Sequence, residues 1–227
     1  MTEQQPNRLA AALSEFTEIF RNRTTSSTSL RSNSKTTATT ESPSELRTAP
    51  NGLDVAKWSE VRPALRAALS AAVKAGDYPI LMHGPPGSGK SCASAAIYCQ
   101  WTPVARWYRL EQFVRNIQTA RRCGHVTHQV QGQSVDRTED TLWSFVENDS
   151  ELWCLDDFGT RGASESAFDI IFELIDRRAK RPTIITSNLG LRELGQLFDQ
   201  RITDRIRAGT VIEVTGSSRR KGKAVKV

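Results

Sequence analysis

The sequence predicts an α/β fold, a three-layer αβα sandwich with a parallel sheet of the P-loop NTPase type. Three observations carry this. The stretch Gly84-Pro85-Pro86-Gly87-Ser88-Gly89-Lys90-Ser91 reads G-x-x-x-x-G-K-S. It lies between a short apolar run at residues 78–82 and an Ala-rich run without breakers at residues 92–99, which is the strand–loop–helix context the motif needs. Short apolar or β-branched runs at residues 104–110, 152–155, 183–186 and 211–214 alternate with stretches of helical period. Two of these runs end in polar pairs, Asp156-Asp157 and Ser187-Asn188.

The first of these observations also carries chemistry. Glycines let the backbone turn its N–H groups inward around phosphates, and the following helix N-terminus adds partial positive charge. Lys90 is placed to reach the β- and γ-phosphates of ATP, and the Ser91 hydroxyl to ligate Mg²⁺. All eight residues of the loop, Gly84, Pro85, Pro86, Gly87, Ser88, Gly89, Lys90 and Ser91, are therefore candidate nucleotide contacts.

The chain has 227 residues, a formal net charge of +6 and a pI near 9.4. The length allows one good-sized domain, and the basic balance suits a polyanionic partner. Cys92, Cys99, Cys123 and Cys154 form no C-x-x-C pair and read as small core residues of a reducing, cytoplasmic compartment. Cys123, His125 and His128 could offer metal ligands, but no fourth ligand is evident. No run of eighteen apolar residues occurs, so no membrane partner is expected.

From the start of the chain, Leu9, Leu13, Phe16 and Phe20 make a helical stripe within residues 1–22. Residues 24–44 then contain fourteen Ser or Thr in twenty-one. Residues 23–50 therefore read as a disordered linker, holding the helix roughly 25 Å from the main domain. The helix is either a tethered peptide for a partner protein or an arm that folds back. The main domain is expected over residues 51–227. Trp58, Val61, Leu65, Leu69 and Ala72 form its first stripe, with Pro63 in a first turn. Residues 111–122 read as a helix with Phe113, Val114 and Ile117 inward, and residues 124–137 as a polar loop. Thr138 is an N-cap candidate for a helix that buries Leu142, Phe145 and Val146. A helix over residues 164–180 turns Phe168, Ile171, Phe172 and Ile175 to the core. Another, over residues 191–207, turns Leu194, Leu197, Phe198, Ile202 and Ile206 inward.

The strand at residues 152–155 ends in two carboxylates. Asp156 is assigned to the water shell of Mg²⁺ and Asp157 to the general base that polarises the attacking water. Asn188 either orients that water or is a turn residue at a strand end. Arg219, Arg220, Lys221, Lys223 and Lys226 make a basic tail.

With these stretches in hand, the chain resembles the DnaC/IstB-like branch of the AAA+ ATPases. The likeness rests on the loop at residues 84–91, the run Leu155-Asp156-Asp157-Phe158-Gly159, the run Thr186-Ser187-Asn188-Leu189, and Asp204-Arg205-Ile206 followed by Gly216-Ser217-Ser218-Arg219-Arg220. The resemblance implies a Walker B pair at Asp156 and Asp157, sensor 1 at Asn188, and an arginine finger at Arg205 acting on ATP of a neighbouring subunit. It also implies a sensor 2-like residue at Arg220. Residues 189–227 leave no room for the helical lid of ordinary AAA+ proteins, which this branch lacks. A finger acting in trans implies self-association into an open ring or spiral. The function implied is that of an ATPase loader, which captures a replicative DNA helicase through the N-terminal arm and places it on single-stranded DNA. Arg115, Arg121 and Arg122 would be the DNA contacts. A transposition helper that binds DNA and recruits a transposase is the alternative, and an ATP-gated DNA-binding adaptor with little turnover a third.

Overall fold

Five short parallel strands run through the centre of the molecule, and the order in which they lie decides where a ligand can sit. The computed structural model describes residue 53 and residues 57–101, 104–130, 133–148, 152–160, 164–216 and 218. The N-terminal arm, the linker and the tail with Arg219 and Arg220 lie outside the described residues. The strands of the central sheet are β1 (Ile80–His83), β2 (Ala105–Arg109), β5 (Leu152–Asp156), β6 (Thr183–Ser187) and β7 (Thr210–Glu213). Their order is β2-β5-β6-β1-β7, with every pairing parallel. From β1 the chain crosses to the far edge at β2, returns through β5 and β6, and then passes β1 to add β7. The carboxyl end of β1 is thus a topological switch point, where open α/β sheets leave a crevice.

The core follows from the period of two along each strand. Leu81, Trp153, Leu155 and Ile185 point to one face, where they meet Phe113, Ile117, Leu142, Leu174 and Ile206. Ile80, Met82, Cys154 and Ile184 point to the other, against Leu65, Leu69, Ala96 and Ile97. β5 and β6 are buried along their whole length, as a sheet covered on both faces requires.

Helices α1 (Pro63–Ala75) and α2 (Lys90–Gln100) cover the second face. Pro63 sits at the start of α1, where its missing N–H costs nothing, and Gly76 ends the helix in the left-handed region. Helices α3 (Leu110–Cys123), α4 (Glu139–Val146), α5 (Glu165–Arg177), α6 (Leu191–Leu197) and α7 (Gln200–Arg207) pack on the first face. Thr138 caps α4 as expected, its hydroxyl accepting from Thr141 N–H at 3.3 Å.

Four expectations are corrected. Residues 124–137 are not a loop: β3 (Val126–Val130) and β4 (Gln133–Arg137) form an antiparallel hairpin. Most of its side chains are polar or exposed, and Val126 is only partly buried against the core, which weakens the strand signal. It is held by cross-strand bonds, Thr127 Oγ1 donating to Asp136 at 2.6 Å and Gln129 Nε2 to Ser134 at 2.8 Å. The helix expected over residues 191–207 breaks at Phe198 (φ −110°, ψ −81°). There Asp199 caps a new helix by accepting from Arg201 N–H at 2.7 Å, a start signal that the continuous apolar stripe concealed. On α5 the buried residues are Ile170, Ile171, Leu174 and Ile175, whereas Phe168 and Phe172 are half-buried and stacked on each other. Finally, of the cysteines only Cys154 is buried. Cys92 and Cys123 are exposed and Cys99 is intermediate. Among the described residues no group of three His, Cys, Asp or Glu could hold a metal ion, and no helix is long and apolar enough to cross a membrane.

One buried cation ties the far end of the sheet together. Arg178, 1% exposed, donates to the Val146 and Asn148 carbonyls at 3.0 Å each and to Thr183 Oγ1 at 3.1 Å, and also reaches the Pro182 carbonyl. It thereby joins the ends of α4 and α5 to the start of β6. Arg178→Met keeps the apolar stem but strands these acceptors. A loss of about 2–4 kcal/mol is expected in urea denaturation; a loss below roughly 0.5 kcal/mol would show that water replaces the guanidinium.

Candidate nucleotide-binding site

β1 delivers the chain to the switch point, and the loop begins there. Gly84 has φ +140°, and a Cβ on it would lie 2.3 Å from the Val214 carbonyl oxygen, so only glycine fits. Val214 N–H donates to the His83 carbonyl at 2.7 Å, which clamps the exit of β7 against the loop. Lys90, at the start of α2 and 6% exposed, turns its ammonium back across the loop. It donates to the carbonyls of Gly84 (2.7 Å) and Pro85 (2.9 Å) and to Asn188 Oδ1 (3.0 Å).

Beside it, Ser91 Oγ donates to Asp156 Oδ1 at 2.7 Å, and Thr186 Oγ1 donates to the same oxygen at 2.5 Å. Thr186 Oγ1 in turn accepts from Asp157 N–H at 3.2 Å. Loop, β5 and β6 therefore meet at one carboxylate. Asp157 stands where β5 ends, with φ +57°, a conformation that Asp tolerates better than most residues. Its half-exposed carboxylate faces Arg109 at 4.0 Å. Ser187 Oγ locks the next turn, donating to the Phe158 carbonyl at 2.6 Å and accepting from Leu189 N–H at 3.0 Å.

These groups border a pocket of about 650 Å³ whose lining includes Lys90, Ser91, Asp157 and Asn188. Leu53, Val61 and Leu65 line it too, an apolar wall of the kind a planar base stacks against. The arrangement therefore offers phosphate donors, a carboxylate–hydroxyl pair and an apolar surface in one cleft.

The expected loop residues, Asp156, Asp157 and Asn188 are thus brought together. Arg205 is not: it lies on α7, donating from Nε to Asp176 and covering the Phe172 ring at 4.6 Å. Arg220 lies outside the described residues. Arg115, Arg121 and Arg122 are all exposed on α3, with Arg121 bonded to Glu139 at 2.8 Å. Sequence reasoning missed three features. Thr186 had a signal, being the hydroxyl two residues before Asn188. Arg62, which lines the pocket and donates to the Ser88 carbonyl, and the apolar wall had none, since nothing in their spacing ties them to the loop.

A parallel five-stranded sheet with this loop at its switch point is the base domain of a P-loop AAA+ protein. The family model of the IstB-like ATP binding proteins matches residues 67–226, and the chain belongs to that family. No curated protein matches the chain. Among solved structures, the DnaC helicase loader superposes with a TM-score of 0.58 at 16% identity, over 73% of this chain and 100% of that one. DnaI gives 0.54 at 22%, over 75% and 94%. AMPPCP-bound DnaA from Aquifex aeolicus gives 0.55 at 16%, over 70% and 49%. The chain thus spans about half the length of the DnaA structure, and at these identities the likeness is one of fold.

The cysteines provide a check on this geometry. Burial pushes the Cys154 thiol up to about 12, with Asp156 and Cys99 adding to the rise. A raised value keeps the thiol protonated at pH 8, and burial keeps it out of reach of solvent. Iodoacetamide at pH 8 is expected to label Cys92 and Cys123 in the folded protein and Cys154 only after denaturation. Peptide mass spectrometry reads the sites, and early labelling of Cys154 would contradict the packing of β5.

Proposed function

We propose that the chain is an ATP-hydrolysing switch that captures a replicative DNA helicase and places it on single-stranded DNA. The observation that carries the ATPase part is the meeting of Ser91, Thr186 and Asp156 at one oxygen, with Lys90 and Asn188 beside it. In this reading the Lys90 ammonium exchanges its loop carbonyls for the β- and γ-phosphates. Ser91 and Asp156 suit Mg²⁺, since a hydroxyl and a carboxylate already converge at 2.7 Å; the ion, when bound, neutralises phosphate charge. Asp157 accepts a proton from the attacking water and Asn188 orients that water. Arg205 acts on the neighbouring subunit's nucleotide in an open ring or spiral. Asp176 and Phe172 hold its guanidinium in a fixed pose, so a neighbour's phosphate competes with one carboxylate. Arg220 is retained as a sensor 2-like contact.

Lys90→Ala is expected to abolish ATP binding, and Asp157→Asn to keep binding while losing hydrolysis. Arg205→Ala should bind ATP normally and hydrolyse it poorly, at the low end of the 10³–10⁵ range known for such fingers. Mixing Lys90→Ala with Arg205→Ala should then restore part of the activity. Equal ATP affinity of wild type and Lys90→Ala in calorimetry would end the nucleotide reading. Absence of recovery from mutants that co-assemble would remove Arg205 from catalysis.

The partner assignment rests on the N-terminal stripe of residues 1–22 behind its Ser/Thr-rich linker at residues 23–50, joined to the ATPase domain at residues 51–227. Support for a loader comes from the DnaC helicase loader and DnaI sharing the fold. The family description, IstB-like ATP binding protein, favours a second reading, a helper that binds DNA and recruits a transposase. Both imply a cytoplasmic protein without membrane contact. Deleting residues 1–45 separates them: ATP binding should persist and helicase capture from the host lysate should disappear. Retention of a transposase instead, or helicase binding by the truncated chain, would overturn the loader. Single-stranded DNA binding should weaken in the Arg115→Ala/Arg122→Ala pair and fall with salt; a flat salt response would exclude these contacts.

A further inference from the structure

Arg62 stands at the N-terminal border of α1, immediately before Pro63. It lines the same pocket as Lys90 and Ser91, although it is far from both in the sequence. Its NH1 donates to the Thr215 carbonyl and its NH2 to the Ser88 carbonyl at 3.3 Å. One side chain therefore joins the start of α1, the phosphate loop and the segment that leaves β7. The approach is allowed by Gly216, where a Cβ would come within 2.6 Å of the guanidinium and where φ is +119°.

The charge of this group is what calls for an explanation. Among the described residues its partners are neutral carbonyls, and no carboxylate lies within ion-pair distance of it. Arg109, Arg121, Arg177, Arg201, Arg205 and Arg207 by contrast each face Asp or Glu, and Arg178, which like Arg62 donates to carbonyls, is buried at the far end of the sheet rather than at the cleft. A guanidinium has five N–H donors in a rigid fork, and two carbonyl bonds leave donors over. A cation placed by packing, bonded among the described residues only to neutral carbonyls and bordering a cleft suited to a polyphosphate, has the complement of that ligand's charge.

We infer that Arg62 is a nucleotide-binding residue that supplies positive charge to the phosphate chain within its own subunit. This rests on the ATP-site reading of the pocket. The two carbonyl bonds hold the fork in place before the ligand arrives, so little side-chain entropy is lost on binding. The contact is with the phosphate chain rather than the base, because the base has the apolar wall of Leu53, Val61 and Leu65.

The test is calorimetric titration of the full chain with ATP and with adenosine, for wild type, Arg62→Met and Arg62→Lys. Arg62→Met is expected to lose roughly ten- to a hundred-fold in ATP affinity with adenosine affinity unchanged. Arg62→Lys, which keeps the charge but not the fork, should fall between. An equal loss for ATP and adenosine would mean that Arg62 only shapes the loop, and no loss for either would mean that it is a surface residue; both overturn the inference. Should circular dichroism show Arg62→Met unfolded, Arg62→Lys decides alone, and wild-type ATP affinity in that variant overturns the inference. Failure of the wild type itself to bind ATP would instead overturn the ATP-site reading, which separates the two claims.

Discussion

One oxygen atom, Oδ1 of Asp156, accepts hydroxyl hydrogen bonds from both Ser91 and Thr186, and the geometry of the site depends on it. The three residues come from α2, β5 and β6. They can meet only if these elements end at the same level, which the sheet register provides: β1 pairs with β6 so that His83 faces Ser187, and β6 with β5 so that Ile185 faces Leu155. A slip of one residue in β6 would turn Thr186 to the other face of the sheet. Burial of β6 on both faces makes such a slip expensive, because each exchanged side chain would enter a core shaped for another. Packing of the sheet thus fixes the site.

The same economy of placement applies to charge. Lys90 is nearly buried, yet its ammonium donates to two carbonyls and an amide oxygen. These partners offset the desolvation of a buried cation, and they hold the amine where phosphate oxygens would replace them. Asp157 differs from Asp156 only by one step along the chain, but that step leaves the strand for a left-handed turn. Asp156 is consequently buried among donors, and Asp157 half-exposed at the pocket edge. Two adjacent carboxylates acquire distinct environments because the strand ends between them.

Away from the pocket, α5 and α7 carry a second polar arrangement. The half-buried pair Phe168 and Phe172 lies beneath the guanidinium groups of Arg201 and Arg205. Cation–π contact and the Asp176 ion pair order Arg205 without burying it. Arg205 is thus ordered yet partly accessible, so it would lose little side-chain entropy on engaging a further group. The break at Phe198 serves this placement. It allows α7 to start afresh at Asp199, with Phe198 packed on Phe158 directly beyond Asp156 and Asp157.

The sequence by itself determined the parallel α/β class, the phosphate loop, the carboxylate strand, the Thr138 cap and the Pro63 start. Each of these is written in consecutive residues: glycines that permit a conformation, an apolar run of strand length, a hydroxyl one step before a helix. The tertiary structure alone decided that residues 124–137 pair as a hairpin, because strands that are mostly polar give little hydrophobic alternation. It alone decided that Phe168 and Phe172 stay outside the core while Ile170 and Leu174 enter it, because a helical stripe fixes a face only to within a residue or two. Thr186 at Asp156, Arg205 at Asp176 and Arg62 between Ser88 and Thr215 likewise came from the structure. These contacts span 29 to 153 residues of chain, apart from the shorter one to Ser88. Which side chains meet at such separations depends on strand order, register and the angle at which helices settle on the sheet, and no local pattern of residues encodes those.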